Sequence, residues 1–161
     1  MKNFYKYFAV ITLLLFVSCE SNPPDLGEYT GKELVYQLTP SVGYEIEGIV
    51  HFRELKNESL QVDVTLVNTI DGVTYPVKMH EGKVDTTGLV ILNLEAVDGE
   101  IKKSTITFSK LINDATVSFD SINVINASIK VYPGNSLNAA TGANIGVNSL
   151  SNNNYNPIGN D

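Results

Sequence analysis

Between residues 44 and 67 the chain alternates apolar and polar side chains with a period of two. In YEIEGIVHFRE, Ile46, Gly48, Val50 and Phe52 fall on one side and Glu45, Glu47, Ile49, His51 and Arg53 on the other; SLQVDVTLV repeats the pattern with Leu60, Val62, Val64 and Leu66. Successive side chains of a strand point to opposite faces, so this is the pattern of two half-buried antiparallel strands. Inward positions are even-numbered on both. Paired residue numbers must therefore sum to an even value, and the loop between the strands must hold an odd number of residues. A three-residue loop of Leu55, Lys56 and Asn57 satisfies this, with Asn57 suited to the left-handed conformation such loops need.

Similar short runs predict strands at Val73 to His80, Leu89 to Glu95, Ser104 to Phe108, Val117 to Ile122 and Val124 to Val131, with an opening strand near Glu33 to Leu38 and a closing one near Leu137 to Ile145. Asp71-Gly72, Asp98-Gly99 and Pro133-Gly134 mark turns between them, and Ser109 to Thr116 has room for one helical turn. Seven to nine short strands at this spacing predict an all-β fold, an antiparallel β-sandwich of immunoglobulin-like kind. Its buried set should include Val50, Phe52, Leu60, Val62, Val64, Leu66, Val77, Met79, Leu92, Leu94, Ile106, Phe108, Ile129 and Val131. Glu45, Glu47, His51 and Lys78 should point outward.

The two ends read differently. MKNFYKYFAVITLLLFVS carries Lys2 and Lys6, then an apolar run from Phe8 to Val17, which is the layout of a secretory signal and is too short to span a hydrocarbon core about 30 Å thick. Phe16-Val17-Ser18-Cys19 resembles the bacterial lipobox, with Phe16 in place of the usual leucine. That resemblance implies lipidation of Cys19 and anchoring to a bacterial membrane, on the periplasmic face or the cell surface. Cys19 is the only cysteine, so no disulfide forms within the chain. Residues 19–31, with adjacent prolines at 23 and 24, predict a flexible linker. Residues 148–161 hold six asparagines and predict a disordered tail, leaving 32–147 as the folded domain.

Removing residues 1–18 takes away two of the 11 Lys and Arg and none of the 18 Asp and Glu, so the mature charge is 9 minus 18, or −9. Such a chain repels phosphate backbones, which argues against nucleic acid as a partner, and it repels the anionic surface to which the lipid would tie it. Phosphate loops, Cys-x-x-Cys, His-Glu-x-x-His and Gly-x-Ser-x-Gly are all missing from the sequence. Glu45 and Glu47 stand about 6.6 Å apart along a strand, a separation that glycosidase carboxylates also use, but on a solvated face. Asn57-Glu58-Ser59 and Asn126-Ala127-Ser128 match glycosylation acceptors by chance in a bacterial lipoprotein.

GIVHFRELKNESLQVDVTLVNTIDGVTYPVKMHEG and DATVSFDSINVINASIKVYPGNSLNAATGANIG resemble a divergent chordin-type (CHRD) domain across Leu34 to Val147. That family is a β-sandwich module similar to Cu/Zn superoxide dismutase. The resemblance implies an interaction module and places Lys78-Met79-His80 where a His-x-His pair would lie. Lys78 and His80 share a strand face, but a copper or zinc site needs three or four converging ligands. His80, His51 and Glu81 are the weak metal candidates; no metal, cofactor or catalytic residue is assigned. The expected function is a non-catalytic binding or structural role at the cell envelope, with a protein or glycan partner. The alternatives are a metal-dependent, dismutase-like enzyme and a carbohydrate-binding module, the latter requiring exposed aromatic rings from among Tyr44, Tyr75 and Tyr132.

Overall fold

The computed structural model describes residues 28–147 and 155–156. The chain is all-β. Among the described residues, eleven strands follow in order: β1 (Tyr29–Pro40), β2 (Glu47–Leu55), β3 (Leu60–Val67), β4 (Thr74–Tyr75), β5 (Val77–Glu81), β6 (Val90–Asn93), β7 (Val97–Asp98), β8 (Lys103–Phe108), β9 (Asn126–Val131), β10 (Thr141–Gly146) and β11 (Tyr155–Asn156), with one short helix, α1 (Phe119–Val124), before β9. The main sheet runs β6-β5-β9-β10-β1-β2-β3-β8. It curls on itself into a sandwich, and β1 is the seam. Residues Glu33 to Leu38 of β1 pair with β2, whereas Thr39 and Pro40 pair with Gly142 and Thr141 of β10.

The parity of the second and third strands holds. Val50 pairs with Val64 and Phe52 with Val62, and Val50, Phe52, Leu60, Val62, Val64 and Leu66 are buried. The loop is three residues long but lies one position further on, at Lys56, Asn57 and Glu58, closed by a bond from Leu55 N–H to the Ser59 carbonyl (2.9 Å). Glu58, not Asn57, takes the left-handed conformation, because the Asn57 side chain is used to accept from Ser59 N–H. The resulting register shift is two residues, so every side chain keeps its face. Ile106 and Phe108 are only partly buried because β8 ends the sheet.

Five other expectations change. Val117 to Ile122 alternates like a strand, yet it forms α1, because Ser118 and Ser121 exchange side-chain to backbone bonds in a capping box. Phe119 and Ile122, three apart, then turn into the core. Ser109 to Thr116 makes no helical turn. It is a tight reversal bridged between Lys110 and Thr116, with Asp114 left-handed. Val73 to His80 is split at Pro76, whose missing N–H interrupts pairing: β4 joins β7 in a small second sheet, and β5 joins β6 and β9. β1 begins at Tyr29, inside the segment expected as linker, held by a Tyr29 hydroxyl bond to Gln61 and by the Arg53 guanidinium 4.5 Å from its ring. The tail also contributes β11, which pairs with Val35 and Tyr36 of β1. The expected signal segment, Cys19 and the remaining tail residues lie outside the described residues.

On the outer face of β1, β2, β3 and β8, His51 meets Glu33 (2.8 Å) and Arg53 pairs with Asp63. Burial alone would raise the Asp63 carboxyl. Hydrogen bonds from Thr105, Arg53 and Gln61, with the Arg53 charge, outweigh it and hold the pKa below the ordinary aspartate value. That contribution to stability is present above the unfolded-state value and is lost as pH falls through the lowered one.

Candidate functional site

The chemistry-bearing face lies on the other layer. Val77 and Met79 of β5 enter the core, which turns Lys78 and His80 outward. Across the ladder, Lys130 stands opposite Lys78 and Ser128 opposite His80 on β9; one strand further, Gly142 and Asn144 of β10 continue the rows. An outward face of this composition is normally solvated. Here His80, Ser128, Lys130 and Asn144 are all buried.

The cover is the segment 82–89 between β5 and β6, which folds back over the sheet as a strap. Val84 N–H donates to Asn144 Oδ1 (2.8 Å), Lys130 Nζ donates to the Thr86 carbonyl (2.6 Å), and His80 Nδ1 bonds the Gly88 carbonyl (3.0 Å). Gly142 leaves the space that Val84 fills, since a Cβ there would stand 2.5 Å from Val84 Cγ2. Burial pushes the Lys130 ammonium pKa down, and the nearby Asp85 charge partly opposes it.

Hydrogen-bond roles around His80 follow from elementary chemistry. A carbonyl only accepts, so Nδ1 carries the proton facing Gly88, and in the neutral ring Nε2 offers a lone pair. The Tyr132 hydroxyl, 3.0 Å away, donates to it. Burial raises the Tyr132 pKa, which keeps the phenol protonated for this role. Beside this pair opens a cleft of about 360 Å³, lined by Lys78, His80, Tyr132 and the turn from Gly134 to Leu137. The Lys78 ammonium stands 5.7 Å from the Tyr132 ring centre.

His80, His51 and Glu81 do not come together. His51 lies on the opposite layer beside Glu33, Glu81 is exposed at the end of β5, and both His80 nitrogens are already engaged. No group of three or more His, Cys, Asp or Glu side chains positioned to hold a metal occurs among the described residues. With a lysine beside it and a phenol on its lone pair, His80 does not fit a dismutase-type metal centre. Glu45 and Glu47 are exposed, as expected of a solvated edge.

His80, near the end of β5, is hydrogen-bonded and not exposed, because the strap buries it to 8 % exposure. His80→Ala is therefore expected to lower the unfolding free energy by about 2 kcal/mol, leaving the Gly88 carbonyl without its donor. Urea denaturation measures this directly; a change within about 0.5 kcal/mol would return His80 to the surface class. Beside Tyr132, one of the three candidate rings, Lys130, Ser128 and Asn144 join the site without a local motif. Their one sequence signal is polar residues at alternate positions in NASIKVY and TGANIG.

Protein-family models, curated proteins and solved structures were compared with the chain. None matches. The site is consequently read from its own geometry.

Proposed function

We propose that this chain is a lipid-anchored, extracytoplasmic β-sandwich module of the bacterial cell envelope that binds a saccharide and catalyses no reaction. The observation that carries the binding role is the Lys78–His80–Tyr132 cleft. Its size falls in the range of small-molecule sites, about 300 to 1,000 Å³, and its side chains sit on or next to strands that the strap holds in place. Tyr132 supplies an aromatic wall with a polar tip, the element a carbohydrate site requires. Tyr75, by contrast, is fully buried with its hydroxyl accepting from Ile70 N–H. His80 is spent on Gly88 and Tyr132 and has no nitrogen left to activate Ser128, which supports a non-catalytic role. The chordin-type resemblance supports an interaction module, and the lipobox-like residues before Cys19 support the anchor.

Two measurements test this reading. Cys19→Ala is expected to move most of the protein from the membrane to the soluble fraction, while mass spectrometry of the wild type finds an acylated peptide beginning at Cys19. An unmodified terminus elsewhere would remove the anchor. For the cleft, nuclear magnetic resonance with a panel of neutral and acidic sugars should shift the His80 and Tyr132 ring signals first; shifts confined to the opposite layer would remove the cleft.

A further inference from the structure

We propose that the cleft takes the carboxylate of a sugar acid, and that binding is coupled to uptake of one proton by His80 through the Tyr132 hydroxyl. The proposal rests on the reading of the cleft as a saccharide site and specifies its ligand. Gly88 forces the proton onto Nδ1, so any second proton must go to Nε2, the atom facing Tyr132. While His80 is neutral, Tyr132 spends its only hydrogen on Nε2 and shows the cleft oxygen lone pairs, which repel a carboxylate. Once Nε2 is protonated, it donates to the Tyr132 oxygen instead. The hydroxyl hydrogen is then free to turn into the cleft, and the lining changes from acceptor to donor.

The charges settle which anion fits. Lys78 is the ammonium facing the cleft. Lys130, diagonal to His80 on β9, is fastened to the Thr86 carbonyl beneath the strap, with Asp85 beside it. Glu81, next along β5, is exposed, and Tyr132 is the remaining titratable group against the ring. The Lys78 ammonium and the freed Tyr132 hydroxyl offer one fixed charge and one donor, which match the two oxygens of a single carboxylate carried by a polar body. Proton and ligand are then linked reciprocally: ligand favours protonated His80, and protonation favours ligand. Affinity should therefore rise as pH falls.

The test uses the full chain purified in detergent, with glucuronate as probe and methyl glucoside as its uncharged counterpart. Calorimetry at pH 7 in two buffers of different ionisation enthalpy should report net proton uptake with glucuronate and none with the glucoside. Glucuronate should bind about tenfold more tightly at pH 5.5 than at pH 7.5. Tyr132→Phe keeps the ring and removes the relay, so it should abolish proton uptake and most of the pH dependence. The two-buffer comparison on wild type decides the matter even if that variant does not fold. Equal binding of both sugars at both pH values, without proton uptake, overturns the proposal and leaves the cleft as a neutral saccharide site. Binding of neither sugar at either pH overturns the proposal and the cleft reading together.

Discussion

Val64→Asp is expected to leave the chain unfolded at 25 °C. Val64 is 1 % exposed at the centre of β3, paired with Val50 on one side and Ser104 on the other, and its side chain faces the apolar core. A carboxylate there has no cation to meet, so it must be ionised without a partner or be protonated, at a cost of several kcal/mol. Domains of this size are stable by only about 5 to 15 kcal/mol, and the loss of Val64 packing adds to the deficit. The neighbouring position supplies the control. Thr65 points the other way and pairs with Lys103, so Thr65→Asp should change stability by no more than about 0.5 kcal/mol. Circular dichroism with thermal melting reads both. A cooperative transition in Val64→Asp near the wild-type midpoint, or equal effects at both positions, would mean that the even-numbered face is not the buried one.

Gly88→Ala should release the strap while sparing most of the sandwich. An added Cβ would stand 1.8 Å from the Glu81 carbonyl oxygen and 2.7 Å from its carbon, backbone atoms that no side-chain rotation can move away. The backbone must shift there, and two ties are lost with it: Glu81 N–H to the Leu89 carbonyl, and His80 Nδ1 to Gly88. The expected cost is about 3 kcal/mol, near the upper end for single substitutions and confined to one cooperative unit. Amide hydrogen exchange distinguishes local from global effects. Val84 N–H, bonded to Asn144 Oδ1, should lose about two orders of magnitude of protection, while Ile129 at the centre of β9 loses far less. Unchanged protection at Val84 would show that the strap does not depend on Gly88.

What the sequence conveys depends on how local the deciding interaction is. The parity of β2 and β3 was readable because one face is apolar and the other polar along a single run, from Ile46 to Leu66. α1 was misread for a local reason. Val117 and Phe119 alternate with the polar Ser118 and Asp120, but two serines three apart stabilise the first helical turn more than the alternation favours a strand. The burial of His80 and Lys130 was not readable at all, because it comes from Val84 and Thr86 lying over a sheet whose third strand arrives some 60 residues later, as the Val84 to Asn144 bond shows. A period-two pattern reports which face a residue occupies. It cannot report whether a loop will return to cover that face, so polar residues at outward positions read as solvated until the cover is seen. Cys19 is the opposite case, legible in the sequence and outside the described residues.

The seam strand has a mechanical consequence. β1 begins next to the amino-terminal segment at Tyr29 and runs 12 residues to Pro40, bonded to β2 along most of its length and to β10 at its far end. Ladder bonds of an antiparallel sheet lie perpendicular to the strands. Tension applied at Tyr29 along the strand axis therefore loads the β1–β2 bonds together in shear instead of opening them one after another like a zipper, and it reaches the second layer only at Thr39 and Pro40. A domain held by that end resists unfolding best when the force is aligned with β1.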